Sequence, residues 1–167
     1  MNLKSGDVMA GGKLAPWTWN KFYIRIFQEV IMWFTGGESH VMLVLYEESG
    51  SWIIAECTWP EGVRWKRITE IPESYKVYRN PDGFVPDLNK LHGLVEDDNG
   101  NPYDFLELLE FLVGKKVVRG FSGKWFVCST WIQHVLRELG YDPWPDKSAT
   151  PADFSKCWDK VMIPPCG

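Results

Sequence analysis

Histidine is scarce in this chain, with three in 167 residues, so any imidazole chemistry must come from His40, His92 or His134. Paired cysteines are missing as well. Cys57, Cys128, Cys157 and Cys166 show no Cys-x-x-Cys spacing and no histidines at zinc-finger intervals, which predicts no structural metal. Cys157 and Cys166 are near enough in sequence to close a small loop, but four cysteines in a chain of this length do not make a disulfide scaffold. Basic runs are absent, and with 18 basic against 22 acidic residues no nucleic-acid partner is expected. Nor is there a stretch of about 20 apolar residues to cross a bilayer, or an apolar signal-peptide core in MNLKSGDVMAGG, so the expected location is the cytoplasm.

What is present is an ordinary globular composition, 45% hydrophobic, which predicts one domain over residues 1–167. Ten tryptophans are the excess. Most are expected in the core, although an aromatic-lined groove for an apolar or sugar-like ligand would use them too.

Gly6–Ala10 reads as a short strand ended by Gly11 and Gly12. Asn20–Phe34 has a helical, mostly apolar pattern that Gly36 and Gly37 stop. It predicts a buried helix; a membrane-surface helix would carry more basic residues than Lys21 and Arg25, so membrane contact is not the favoured reading. Strands are expected at His40–Tyr46, Ser51–Cys57, Val63–Ile68 and Tyr75–Arg79. Asn80–Asn101, rich in Pro, Asp, Asn and Gly, reads as a surface excursion containing His92, and Tyr103–Leu112 as a helix. Strands and helices segregated in this way predict an α+β domain, helices packed on an antiparallel sheet.

The stretch from Ser122 to Gly140 places one cysteine between an extended aromatic run and a helix. From Cys128 onward Trp131, Ile132, Val135, Leu136 and Leu139 recur at helical spacing, and Gly140 follows as a stop. Trp125, Phe126 and Val127 favour extended backbone, so the helix is expected to begin at Cys128. A thiol there would sit at the positive end of the helix dipole, which favours the nucleophilic thiolate. Two plainer readings stand beside this one. Cys128 shares a side with Ile132, Val135 and Leu139 and could be a core residue; and a helix starting with Ser122 as N-cap would carry Cys128 past the first turn.

His40 opens one strand and Glu56 lies near the end of the next. With a three-residue loop, Glu47 to Ser49, Tyr46 would face Gly50 and His40 would lie directly opposite Glu56. A longer loop would put Cys57 opposite His40. A carboxylate on one imidazole nitrogen fixes the tautomer and leaves the other nitrogen free as a base; a strand-edge histidine and a solvated carboxylate is the plain alternative. His134 lies six residues beyond Cys128, a rotation of about 120° away on a helix, and cannot reach its sulfur.

The order of these features resembles the circularly permuted papain-like, NlpC-type cysteine hydrolases, the YiiX-like branch in particular. The likeness rests on Gly6-Asp7, Ser39-His40 opening a strand, Glu56 on the next strand, Gly100-Asn101-Pro102-Tyr103-Asp104 before a helix, Cys128-Ser129 at a helix head, and Thr150-Pro151-Ala152-Asp153. It covers most of the chain. Permutation accounts for histidine preceding cysteine. The resemblance implies a permuted papain-like fold, a catalytic triad of Cys128, His40 and Glu56, and no cofactor. It implies chemistry through an acyl-enzyme on cysteine. Substrates of such proteins are peptides and other amides, as in cell-wall amidases and peptidases, or acyl lipids, as in lecithin retinol acyltransferase and its relatives. Where the family pattern has an acidic residue and a leucine after Cys-Ser, this chain has Thr130 and Trp131. Tyr103 and Trp131 are therefore candidate substrate-binding residues. A thioesterase or acyltransferase, and a catalytically idle binding module of the same fold, are the alternatives to an amidase.

Overall fold

Stretches rich in β-branched and aromatic residues form the sheet. The computed structural model describes residues 3–12, 25–26, 28–29, 32, 37–104 and 126–161. Among these, the strands are β1 (Val8–Gly11), β2 (His40–Glu48), β3 (Ser51–Thr58), β4 (Gly62–Ile68), β5 (Tyr75–Arg79) and β6 (Asp159–Val161). Their order across the sheet is β4-β3-β2-β1-β5-β6, with every neighbouring pair antiparallel. The short β1 thus joins the β2–β3–β4 meander to β5.

Among the described residues, three helices follow the fifth strand: α1 (Leu88–Asp98), α2 (Cys128–Glu138) and α3 (Pro151–Cys157). Their apolar sides bring Leu91, Val95, Ile132, Val135 and Phe154 into one core with the sheet residues Val41, Leu43, Ala55 and Cys57. Met9, Met42, Val44, Ile54 and Val77 form a second buried cluster on the residues alternate to these. Burial on both faces explains why β2 and β3 read as continuous apolar runs and not as alternating ones. The architecture is α+β, with an antiparallel sheet and packed helices.

Three expectations need correction. Asn80–Asn101 is not a bare excursion, because α1 occupies its second half. Asp87 caps that helix by accepting from the amides of Asn89 and Lys90, and only Leu91, Val95 and Asp98 are buried, a stripe too narrow to stand out from a polar sequence. The β2–β3 register also differs: Met42, not His40, faces Glu56. Glu48 pairs with Ser51, so the turn holds only Ser49 and Gly50, both in the left-handed region at φ 52° and 77° as a tight hairpin turn requires. An irregularity between Val44 and Tyr46 shifts the register back by one, which leaves it two residues from the expected pairing. The N-terminal strand begins at Val8, after Gly6 has turned the chain at φ 86°, and includes Gly11.

The expected helix at Asn20–Phe34 and most of that at Tyr103–Leu112 lie outside the described residues, apart from helical backbone at 25–26, 28–29 and 32. Among the described residues, no helix is long and apolar enough to cross a membrane.

Candidate active site

Two local decisions place Cys128 at a helix start. Phe126 is held extended by a parallel bridge to Tyr103, and Val127 remains extended at φ −89°, ψ 166° before the chain turns helical. A start at Ser122 is excluded by that backbone. Val127 has no side-chain acceptor for the first amides, while the Thr130 hydroxyl accepts from the Val127 amide at 3.2 Å and fixes the entry to the helix. Gly140, at φ 90°, ends the helix. α2 packs on β2 and β3, which carries Cys128 to the end of the sheet where β2 begins.

His40 is the first residue of β2 and reaches both partners from there. Its Nε2 lies 2.9 Å from Glu56 Oε2, and the Cys128 side chain is near enough to support the charge of its ring. The two-residue offset in register leaves this pairing intact because an even shift keeps a side chain on its face, so His40 and Glu56 meet on the diagonal. Burial, the largest influence on His40, works against its charge, but its polar interactions with Cys128 and Glu56 and the charges of both outweigh it, and its pKa is pushed up to about 9. The ring is therefore an imidazolium at neutral pH, with an N–H on each nitrogen.

Glu56 is 2% exposed. Burial alone would raise its pKa; hydrogen bonds and charge from His40 and Lys66 reverse that and hold it well below the usual carboxylate range. Its second oxygen, Oε1, accepts from Arg64 Nε at 3.1 Å, Arg64 Nη2 at 2.9 Å and Lys66 Nζ at 2.8 Å. Tyr75, on β5, stands edge-on to the His40 ring, centroids 6.5 Å apart. Burial and the charges of Glu56 and Cys128 push its phenol up, keeping it neutral.

Cys128, His40 and Glu56 are thus brought together. No family model matches the chain, and no curated protein or solved structure does either. The assignment of chemistry accordingly rests on these side chains.

The other candidates fall elsewhere. Trp131 is fully buried and donates its indole N–H to Asp98 Oδ2 at 3.2 Å, so it is a core residue and not a groove wall. Tyr103 is half-buried against the same core. His134 stacks on Phe126 and lies 3.7 Å from Asp98, turned away from the sulfur as the helical rotation requires. His92 is exposed on α1, beside Glu96. Trp52, Trp144 and Trp158 are also buried, whereas Trp59 and Trp65 are about half exposed, at 44% and 50%. Arg64 and Lys66 were missed by the sequence reading. Their signal was the alternation in Val63–Ile68, which sets them on one face of β4, but only the register of β3 with β4, Glu56 facing Arg64, shows whose face that is.

Proposed function

We propose that this protein is a cysteine-dependent hydrolase, an amidase or peptidase, working through an acyl-enzyme on Cys128 within a permuted papain-like, NlpC-type fold. The observation that carries the reading is a single imidazole hydrogen-bonded to a buried carboxylate and close enough to a helix-start cysteine for the two to act on each other's charge. A charged imidazole between two anions is the resting state of a thiolate–imidazolium pair. The order of histidine strand before cysteine helix suits the permuted arrangement.

In this reading the Cys128 thiolate attacks the substrate carbonyl, forming the C–S bond, and the helix-start amide of Cys128 faces the oxygen as it gains charge. With Nε2 held by Glu56, Nδ1 of His40 gives its proton to the leaving nitrogen as the C–N bond breaks. Water then attacks the thioester, His40 takes its proton, and cleavage of the C–S bond returns the thiolate and the imidazolium. Glu56 accepts a hydrogen bond throughout and moves no proton.

Intact-mass analysis after incubation with panels of acyl amides and acyl esters tests the proposal. The expected result is an acyl adduct on Cys128 from amides, lost in Cys128→Ala and His40→Ala. Adducts from esters or acyl lipids alone would move the reading to a thioesterase or acyltransferase, and an absence of adducts from every class would sink it.

A further inference from the structure

Glu56 has two oxygens and they are used differently. Oε2 meets only His40 among the described residues, while Oε1 is filled from β4 by the guanidinium of Arg64 and the ammonium of Lys66. We propose that Arg64 and Lys66 are positioning residues of the active site, which lock the Glu56 carboxylate from β4 so that its remaining oxygen is presented to His40. The proposal rests on the reading of Cys128, His40 and Glu56 as a triad.

The lock follows from the sheet. Arg64 is the cross-strand partner of Glu56, and Lys66 faces Ile54, one diagonal step away on the same face. A carboxylate with one bonded neighbour rotates readily about its terminal torsion, which is broad and two-fold. Three donors on one oxygen remove that freedom and set the plane in which the other oxygen accepts.

Charge balance gives the lock a second consequence. The titratable and charged groups at the site are His40 on β2, Arg64 and Lys66 on β4, Glu56 on β3, Cys128 on α2, and Glu61, 3.6 Å from Arg64, in the β3–β4 turn; Tyr75 on β5 is neutral. With Lys66 and Arg64 serving Glu56, the charge of His40 is left to serve the sulfur. The cations also make Glu56 a weaker base, so it orients His40 without competing for its proton. Lys66 and Arg64 are more than a third exposed, at 38% and 39%, so neither is held there by burial of its own side chain.

The test is the rate of Cys128 alkylation by iodoacetamide as a function of pH, read by peptide mapping, with melting temperature measured on the same samples. The variants are Lys66→Met, Arg64→Met and Lys66→Arg, each also made with Glu56→Gln, with His40→Ala as control. Losing either cation frees the carboxylate to turn from the ring, so the imidazolium loses support and the thiolate with it, and the acid limb should move to higher pH. The neutral rate should fall by about three- to tenfold, and Lys66→Arg should restore it. In the Glu56→Gln background the same changes should add nothing, because they act through that carboxylate. Acid limbs that stay in place, or equal losses with and without Glu56, would overturn the proposal even where stability falls. If His40→Ala leaves alkylation unchanged, the triad reading itself fails; if His40→Ala slows it while the β4 variants do not, only the lock fails. Should Lys66→Met not fold, Lys66→Gln and Arg64→Lys carry the same comparison.

Discussion

His40 separates this site from the other titratable clusters, because among the described residues it alone joins a thiol to a buried carboxylate. Cys57 and Cys128 are both buried, yet Cys57 spends its thiol on the Phe126 carbonyl at 3.2 Å. Between pH 8 and pH 6 an ordinary thiol loses reactivity about tenfold per unit, as its thiolate disappears. Cys128, paired with a charged imidazole, should keep most of its iodoacetamide reactivity over that range, with exposed Cys157 as the internal control. Parallel decay at Cys128 and Cys157 would make Cys128 a core residue. Glu56→Gln keeps a hydrogen-bonding group but offers an NH₂ to the ring, and should lower turnover by orders of magnitude, less than Cys128→Ala, with the fold intact. His40→Ala should abolish turnover, whereas His92→Ala and His134→Ala should leave it within about twofold, since one side chain is exposed and the other is committed to Asp98. An active His40→Ala enzyme would remove the triad. That His40 and Glu56 share a face was one of two registers open in advance, since a one-residue slip reverses it; the lock on Glu56 was not legible at all, since it needs the register of a third strand.

At the scale of elements, the first residue of β4 is tightly constrained. Gly62 has φ 75°, and a Cβ there would come 2.2 Å from the Asn101 carbonyl oxygen, a backbone atom that cannot swing aside. Gly62→Ala should therefore cost more than about 2 kcal/mol in denaturant unfolding, from left-handed strain and the forced separation together. A variant of wild-type stability would mean that the segment at Asn101 does not pack there. Most strands were readable from β-branched and aromatic runs, and the start of α2 from the change at Val127–Cys128. α1 was hidden because its buried stripe is three residues wide in a polar stretch. The hairpin register was hidden because no Asn-Gly or Asp-Gly pair marks the turn, and Ser49 takes a left-handed conformation unusual for a residue with a Cβ.

For the whole molecule, the site links stability to pH. The pKa of His40 is raised on folding from 6.5 to about 9, so its contribution is fully present below about 6.5 and is lost as pH rises through about 9. Glu56 runs the other way: held below its ordinary value, it stabilises above about pH 4.5 and loses that contribution as pH falls through its lowered pKa. The melting temperature should thus drop by several degrees between pH 7 and pH 10, and the drop should shrink in His40→Ala; an equal drop in both proteins would show that other groups carry it. What the sequence by itself determined is which segments are strands and that a helix follows the extended run at Val127, because periodicity and local backbone preference are short-range properties. Only the tertiary structure decided that α2 lies across β2 and β3 with its N-terminus at His40, that Trp131 is core, and that Arg64 and Lys66 close on Glu56. Those outcomes depend on register and on how a helix docks against a sheet, and both are settled by contacts between residues far apart in the chain.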